Sequence, residues 1–338
     1  MGVAITKLIP KKEINIADLK GKVLAVDGYN MLYQFLTTIR GPDGQPLTDS
    51  QGNVTSHLTG LFGRITNLMA QGVKFVFCFD GQMPELKKKE IQRRREIKEQ
   101  AAKDYEAAKQ AEDTEGMKKY AARTTRLKPE MVDQARTLLD ALGIPWINAP
   151  SEGEAQAAAL VKQGHAYAVV SQDADALLYE APRIVRNLAV SGKRKLPGRM
   201  AYVQVEPELI THKDVLEELD VTLEQLRTLA VLIGTDYNIG GIKGIGPVKG
   251  LKLVKEHSQE AVFKEINWQE HWDIPWQEIL NVFESMPVGE PESLDFKGVD
   301  EDAVVDLLVK KHEFSPERIK NSLKKIAENT QKGLSEFF

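Results

Sequence analysis

Lys22-Val23-Leu24-Ala25-Val26-Asp27, followed by a helix-like stretch from Asn30 to Ile39, decides the fold. A short apolar run that ends in a carboxylate and passes into an amphipathic segment marks a strand covered on both faces, as in parallel sheets. The unit recurs. Residues 56–70 place Leu58, Leu61, Phe62, Ile65, Leu68 and Met69 on one helical stripe, and the strand-like run Phe75–Phe79 then ends at Asp80. Residues 130–142 carry Met131, Ala135, Leu138, Leu139 and Leu142 at helical spacing until Gly143 stops them. Strand-like Ile144–Ile147, helix 152–163 and strand Ala166–Val170 continue the alternation. Repeated β-α-β-α order with short connections predicts an α/β fold, a central mostly parallel sheet flanked by helices. Beyond residue 205 the chain reads as mainly helical, and it has no internal repeats.

The 338 residues are enough for one large domain or two ordinary ones. The 42% apolar and 28% charged residues are ordinary for a globular enzyme. No uninterrupted apolar stretch of about 18 residues is present, which excludes a helical membrane span. Cys78, the one cysteine, sits in the strand-like run and reads as a small core side chain of a chain kept in a reducing interior. Met1-Gly2-Val3-Ala4-Ile5-Thr6 fits the loose myristoylation pattern, but no polybasic cluster or second lipid site follows. No secretory signal is read, so a cytoplasmic, nucleoid-associated protein is expected.

The net charge of −4 hides an uneven distribution. Residues 87–128 hold 14 Lys or Arg against 8 Asp or Glu, whereas residues 258–302 hold 2 against 12. A polyphosphate responds to the local field, not to the sum over the chain. Residues 86–128 are helix-prone, polar nearly all round and interrupted by Gly116, and are not expected in the core. Two readings stand: a solvated linker or surface helix pair, or a mobile element that touches a polyanion.

Seven acids fall at the ends of predicted elements. Asp27 and Asp80 end strands, Glu152 and Glu154 open a helix, Asp173 and Asp175 follow the strand ending at Val170, and Asp236 lies in Gly234-Thr235-Asp236-Tyr237. In an open parallel sheet, ligands bind outside the carboxyl ends of the strands, so Asp27, Asp80 and the Asp173/Asp175 pair would converge on one edge. Taken singly, Glu152 is explained as a helix cap and the aspartates as turn formers. Together, so many carboxylates in one place call for hard divalent cations with oxygen ligands, and Mg²⁺ suits such a site. The six histidines show no zinc-like spacing. Two such ions about 3.5–4 Å apart would activate water and stabilise the leaving oxygen in phosphodiester hydrolysis.

These residues resemble the flap endonuclease family, of the archaeal kind, within the XPG-like structure-specific 5′ nucleases. Asp27-Gly28-Tyr29-Asn30, Thr55-Ser56-His57-Leu58 with Gly60 and Phe62, Phe79-Asp80-Gly81, Pro150-Ser151-Glu152-Gly153-Glu154-Ala155, Asp173-Ala174-Asp175 and Gly234-Thr235-Asp236-Tyr237 carry the resemblance over nearly the whole chain. Each tetrapeptide is weak; their order and spacing together are specific. The resemblance implies a PIN-like nuclease core in which Asp27, Asp80, Glu152 and Glu154 serve one metal ion and Asp173, Asp175 and Asp236 the other. It allows Mn²⁺ in place of Mg²⁺. It places Lys87 and Arg94 on the scissile phosphate, Tyr33 against a base beside the cut, and Thr55 among the DNA contacts. A solvated basic face for the first two and a core position for Tyr33 remain the alternatives. It also makes residues 86–128 a helical arch for the 5′ flap, and puts the amino terminus freed at Gly2 near the active site.

Gly241-Ile242-Lys243-Gly244-Ile245-Gly246-Pro247 lies between helix 222–233 and helix 247–256. No strand precedes Gly244-x-Gly246, so a dinucleotide site is discounted. Pro247 at the first helical position leaves backbone N–H groups to hold a phosphate, the logic of a helix-hairpin-helix that grips duplex DNA, with Gly244, Gly246 and Lys249 as its contacts. The resemblance adds a K⁺ held by hairpin carbonyls, without assigned ligands. Gln331-Lys332-Gly333-Leu334-Ser335-Glu336-Phe337-Phe338 fits Q-x-x-L-x-x-F-F, which docks on sliding clamps (PCNA). A short turn there would present Leu334, Phe337 and Phe338 as apolar anchors, with Gln331 on the rim. The expected divisions are an N-terminal nuclease region 1–98, an internal region 99–257, a C-terminal helical region 258–327 and a clamp-binding tail 328–338, in a monomer. The expected activity is Mg²⁺-dependent cleavage at the base of 5′ flaps, with 5′→3′ exonuclease activity, in replication and repair. Gap or four-way-junction cleavage, a non-catalytic clamp-binding DNA scaffold and a small RNA-cutting nuclease are the rivals.

Overall fold

The apolar runs pair side by side in a computed structural model that describes the chain except residues 1, 2, 4, 42–43, 112, 114, 117–119, 121–124, 191, 196–201, 292–293 and 336–338. The first half runs β1 (Lys12–Glu13), β2 (Val23–Asp27), α1 (Gly28–Thr38), α2 (Ser56–Met69), β3 (Lys74–Phe79), α3 (Lys88–Gln110), α4 (Pro129–Ala141), β4 (Trp146–Asn148), α5 (Gly153–Lys162) and β5 (Ala168–Val170). Next come β6 (Arg183–Arg186), β7 (Gly192–Lys195), β8 (Tyr202–Val205) and β9 (Glu208–Thr211). The remainder is helical: α6 (His212–Leu219), α7 (Leu223–Ile233), α8 (Pro247–Glu256), α9 (Gln259–Glu265), α10 (Trp276–Ser285), α11 (Glu301–Val305) and α12 (Pro316–Ser335).

Seven strands form one sheet in the order β1-β9-β6-β5-β2-β3-β4. The pairs β2–β3, β2–β5, β3–β4 and β5–β6 are parallel, with Asp27 opposite Cys78 and Val26 opposite Val170. The expected mostly parallel α/β fold is the one found. Alternate residues of β2 divide between two cores: Leu24 and Val26 face α1, α2 and α4, and Ala25 faces α5. That is why the run is apolar throughout rather than alternating.

From β2 the chain steps outward to β3 and β4, then returns to the other side of β2 as β5 and β6. The strand order therefore reverses between β2 and β5, and a crevice opens at that point beyond the carboxyl ends of both. Asp27 closes β2 on one side of it, and the segment after Val170 closes β5 on the other.

Some details depart from the sequence reading. The expected mainly helical region beyond 205 begins with a strand, β9, which pairs antiparallel with both β6 and β1. Helix α3 is one unbroken element of 23 residues that ends before Gly116, and it buries Glu90, Ala101 and Ala108. The tail expected from 328 begins inside α12, whose backbone stays helical to Ser335, so Gln331 and Leu334 lie on a helix rather than in a short turn. The amphipathic turns that seat Ile319, Leu323 and Ile326 in the core carry the helix forward into the polar residues. Phe337 and Phe338 lie outside the described residues, as does Gly2.

Candidate active site

Each acid is set in place by the backbone that carries it. Asp27 is at once the end of β2 and the N-cap of α1, its Oδ1 accepting the Asn30 N–H at 3.0 Å. Asp80, directly after β3, accepts the Gly153 N–H at 2.7 Å. Gly153 is required there, because a Cβ would sit 2.8 Å from the Cys78 carbonyl oxygen. Glu152 is the N-cap residue of α5. Glu154, in the first turn, accepts the Ser171 hydroxyl at 3.0 Å and the Ala176 N–H at 3.2 Å. Asp175 Oδ1 accepts the N–H of buried Val3 at 2.6 Å.

These acids feel one another. Burial, then Asp80 and Glu152, push Asp27 up to about 7, with the Asn30 N–H and Lys87 opposing. Burial, then Asp173 and Asp236, push Asp175 up to about 7 against the Val3 N–H. Burial raises Asp80. Burial and the charges of Asp175, Asp27 and Asp173 raise Glu154. The cluster is therefore continuous from the end of β3 across β2 to the segment beyond β5.

Two cations close it. Lys87 Nζ donates to Glu152 Oε1 at 2.7 Å and lies 3.3 Å from Asp236 Oδ2. Its side chain is only 14% exposed, which overturns the solvated basic face for this residue. Burial works against the Lys87 ammonium, but Glu152 and Asp236 outweigh it and raise its pKa. Arg94, from the second turn of α3, donates to Asp236 Oδ1 at 2.8 Å and also pairs with Glu90. Glu90, 2% exposed, accepts Arg93 as well, and so ties both arginines to one buried carboxylate in the first turn of α3.

Seven carboxylates against two cations leave a strong surplus of negative charge. The donors are all hard oxygens, and most have raised pKa values that a bound cation would draw back down, so the set fits a divalent ion by chemical type. As the side chains stand, no three such residues among those described surround one metal position. Glu152 and Asp236 point at Lys87, and Glu154 points at Ser171 and a backbone N–H.

The other expected residues fall around this cluster. Tyr33 on α1 is 36% exposed, which removes the core alternative, and Lys98 of α3 stands 4.9 Å above its ring. Thr55 is buried at the start of α2, its N–H on the Leu47 carbonyl. Between α7 and α8, Gly244 takes φ +85°, Gly246 is the N-cap and Pro247 opens α8, while Lys249 is exposed. Trp272 ties this loop down by donating to the Gly241 carbonyl at 3.3 Å. Residues passed over by the sequence reading are Val3, Ser171, Tyr179 and Glu90. Of these only Glu90 left a sequence signal, an acid three and four residues before Arg93 and Arg94 on one helix.

The XPG N-terminal domain model matches residues 1–101, and the XPG I-region model matches residues 143–236. Flap endonuclease 1 of Staphylothermus marinus is 48% identical over 330 residues, covering 96% of this chain and 94% of that protein. The chain belongs to the flap endonuclease 1 family. The Pyrococcus furiosus member is 47% identical over 333 residues, covering 98% of this chain and 97% of that protein. The solved flap endonuclease-1 of Methanococcus jannaschii superposes with a TM-score of 0.77 at 40% identity, covering 98% of this chain and all of that one. The catalytic core of Rad2 in complex with DNA substrate has the same fold, with a TM-score of 0.70 at 22% identity over 96% of this chain. The flap endonuclease family is metal-dependent, and no helix among the described residues of this member is long and apolar enough to cross a membrane.

Proposed function

We propose that this chain hydrolyses phosphodiester bonds at the base of 5′ DNA flaps by a two-metal-ion mechanism, with 5′→3′ exonuclease activity, in Okazaki fragment maturation and repair. Asp27, Asp80, Glu152 and Glu154 would hold one Mg²⁺ and Asp173, Asp175 and Asp236 the other, with Mn²⁺ as a substitute. Such ions would supply an activated water and neutralise the leaving oxygen. The observation that carries the reading is that one ammonium, Lys87 Nζ, reaches an acid from each set, Glu152 and Asp236.

The protein's own part is binding and charge placement. Lys87 and Arg94 stand where a phosphate entering from the α3 side meets the carboxylates, and their charges would offset the one that develops on the phosphoryl oxygens. The exposed ring of Tyr33 offers a stacking surface beside them. Thr55 and the α7–α8 hairpin, through Gly244, Gly246 and Lys249, would hold duplex DNA, with K⁺ at hairpin carbonyls whose identity is left unassigned. Residues 331–338 would dock on a sliding clamp of the PCNA kind. The divisions 1–98, 99–257, 258–327 and 328–338 belong to this proposal, as do the monomeric state and the cytoplasm.

The test is a 5′-labelled flap oligonucleotide incubated with protein and Mg²⁺, with and without EDTA. Cleavage near the flap base that EDTA abolishes is expected. An intact flap in Mg²⁺ would make a DNA-binding scaffold the better account.

A further inference from the structure

Behind the carboxylates lie two buried tyrosines that the reading above does not use. Tyr179 Oη stands 3.3 Å from Glu152 Oε2 and 3.0 Å from Tyr237 Oη. Both rings pack on Phe283, at centroid distances of 5.4 and 5.3 Å. Each hydroxyl has one proton, and both bonds are made when Tyr237 donates to Tyr179 and Tyr179 donates to Glu152. A phenol, with an ordinary pKa of about 10, carries its proton at neutral pH and can donate it.

The placement of the pair matters more than its burial. Tyr179 follows the short turn Asp175–Leu177, Tyr237 is the neighbour of Asp236, and Glu152 is the N-cap residue of α5. Three carboxylate-bearing segments, far apart in the chain, meet at one hydroxyl. The segment holding Tyr179 is itself fixed. Glu180 takes φ +62°, a left-handed conformation that an L residue adopts only when its surroundings enforce it. Buried Arg227 donates to the Leu178 carbonyl at 3.0 Å and pairs with Glu180 at 3.2 Å, and Lys162 pairs with Glu180 at 3.0 Å.

We infer that Tyr179 is a positioning residue for divalent-cation binding. It holds Glu152 by Oε2, keeps Oε1 on the open side of the site, and couples Glu152 to the segments that carry Asp175 and Asp236. Tyr237 orients the Tyr179 hydroxyl and itself faces Glu152, so the two phenols hold that carboxylate together. The inference rests on the proposal that these acids bind divalent cations. A phenyl ring at 179 would keep the packing on Phe283 and remove only the donor.

Tyr179→Phe, Tyr237→Phe and the double variant, as full chains, test this by titration with Tb³⁺ in the absence of DNA and by the Mg²⁺ dependence of flap cleavage. Tyr179→Phe is expected to weaken Tb³⁺ binding and to raise the half-saturating Mg²⁺ by about tenfold, as loss of a group that orients a ligand does. Flap binding in EDTA should not change. The double variant should bind Tb³⁺ no more tightly than Tyr179→Phe alone, because both hydroxyls face Glu152. Tb³⁺ affinity and Mg²⁺ demand within about twofold of the parent in Tyr179→Phe would overturn the inference. If that variant does not fold, Tyr237→Phe decides: weakening of about threefold supports the coupling, and an unchanged affinity refutes it. A parent protein that bound no Tb³⁺ would remove the proposed metal site itself, a result distinct from either.

Discussion

Replacing Asp175 with asparagine should make the metal-free protein more stable while destroying its activity. The side chain keeps its shape, and its oxygen still accepts the Val3 N–H. What disappears is a charge whose folded-state pKa is raised to about 7, first by burial and then by Asp173 and Asp236, from an ordinary 3.8. The folded state holds that proton more tightly than the unfolded chain does. The stability it contributes is therefore fully present below pH 4 and is lost as the pH rises through 7. At pH 8 the loss amounts to about 4 kcal/mol, of which roughly 2–3 kcal/mol accrues between pH 5 and pH 8. At roughly 2 °C per kcal/mol for a chain of this length, Asp175→Asn in EDTA should melt up to about 8 °C above the parent at pH 8. The gap should shrink by more than half at pH 5. The assay is thermal unfolding at the two pH values in EDTA, with flap cleavage in Mg²⁺ measured alongside. A variant that melts no higher than the parent at pH 8 would refute the electrostatic account of the cluster, and one that still cleaves would refute the role given to Asp175.

Other outcomes follow from the same geometry. Lys87→Ala removes both ion pairs and should lower single-turnover flap cleavage by about 10²–10³-fold, the loss expected when one fixed charge facing the transition state is deleted, and a rate within threefold of the parent would contradict it. His57 is fully buried with its Nε2 on Gln134 at 2.9 Å, and burial lowers its pKa from 6.5 to about 4. Stability that is present above pH 6.5 should accordingly fall by about 3 kcal/mol as the pH drops to 4, and denaturant melts of His57→Gln should show that part of the acid loss gone. Deleting residues 331–338 should leave basal cleavage unchanged and abolish stimulation by a sliding clamp; stimulation that survives the deletion would place clamp binding elsewhere.

Much of this fold and site was legible because the decisive signals are local. The runs 23–26, 75–79 and 168–170 are apolar throughout, since each faces two cores, and that continuity reads as a parallel strand without any knowledge of its neighbours. The acids were legible because Asp27 and Asp80 end such runs, Glu152 and Glu154 open a helix, and Asp173, Asp175 and Asp236 lie just past the end of an element. What was missed is non-local. Arg183-Ile184-Val185-Arg186 is too short and too polar at its ends to declare itself, and becomes a strand by pairing between Ala168–Val170 on one side and Glu208–Thr211 on the other. Tyr179 and Tyr237 carry no such signal, because nothing in a local window tells that their hydroxyls meet across 58 residues. Helix α3 reads as polar all round, and only the folded chain reveals that Glu90 is buried.

Val3 is buried and donates its N–H to Asp175, so the backbone at this residue is built into the rim of the cluster. A segment fused ahead of Val3, an affinity tag included, would start beside the carboxylate cluster and compete with a substrate for space there. A protein prepared with such an extension would be expected to misreport its own catalytic rate, and a tag that can be cut away flush is the safer handle.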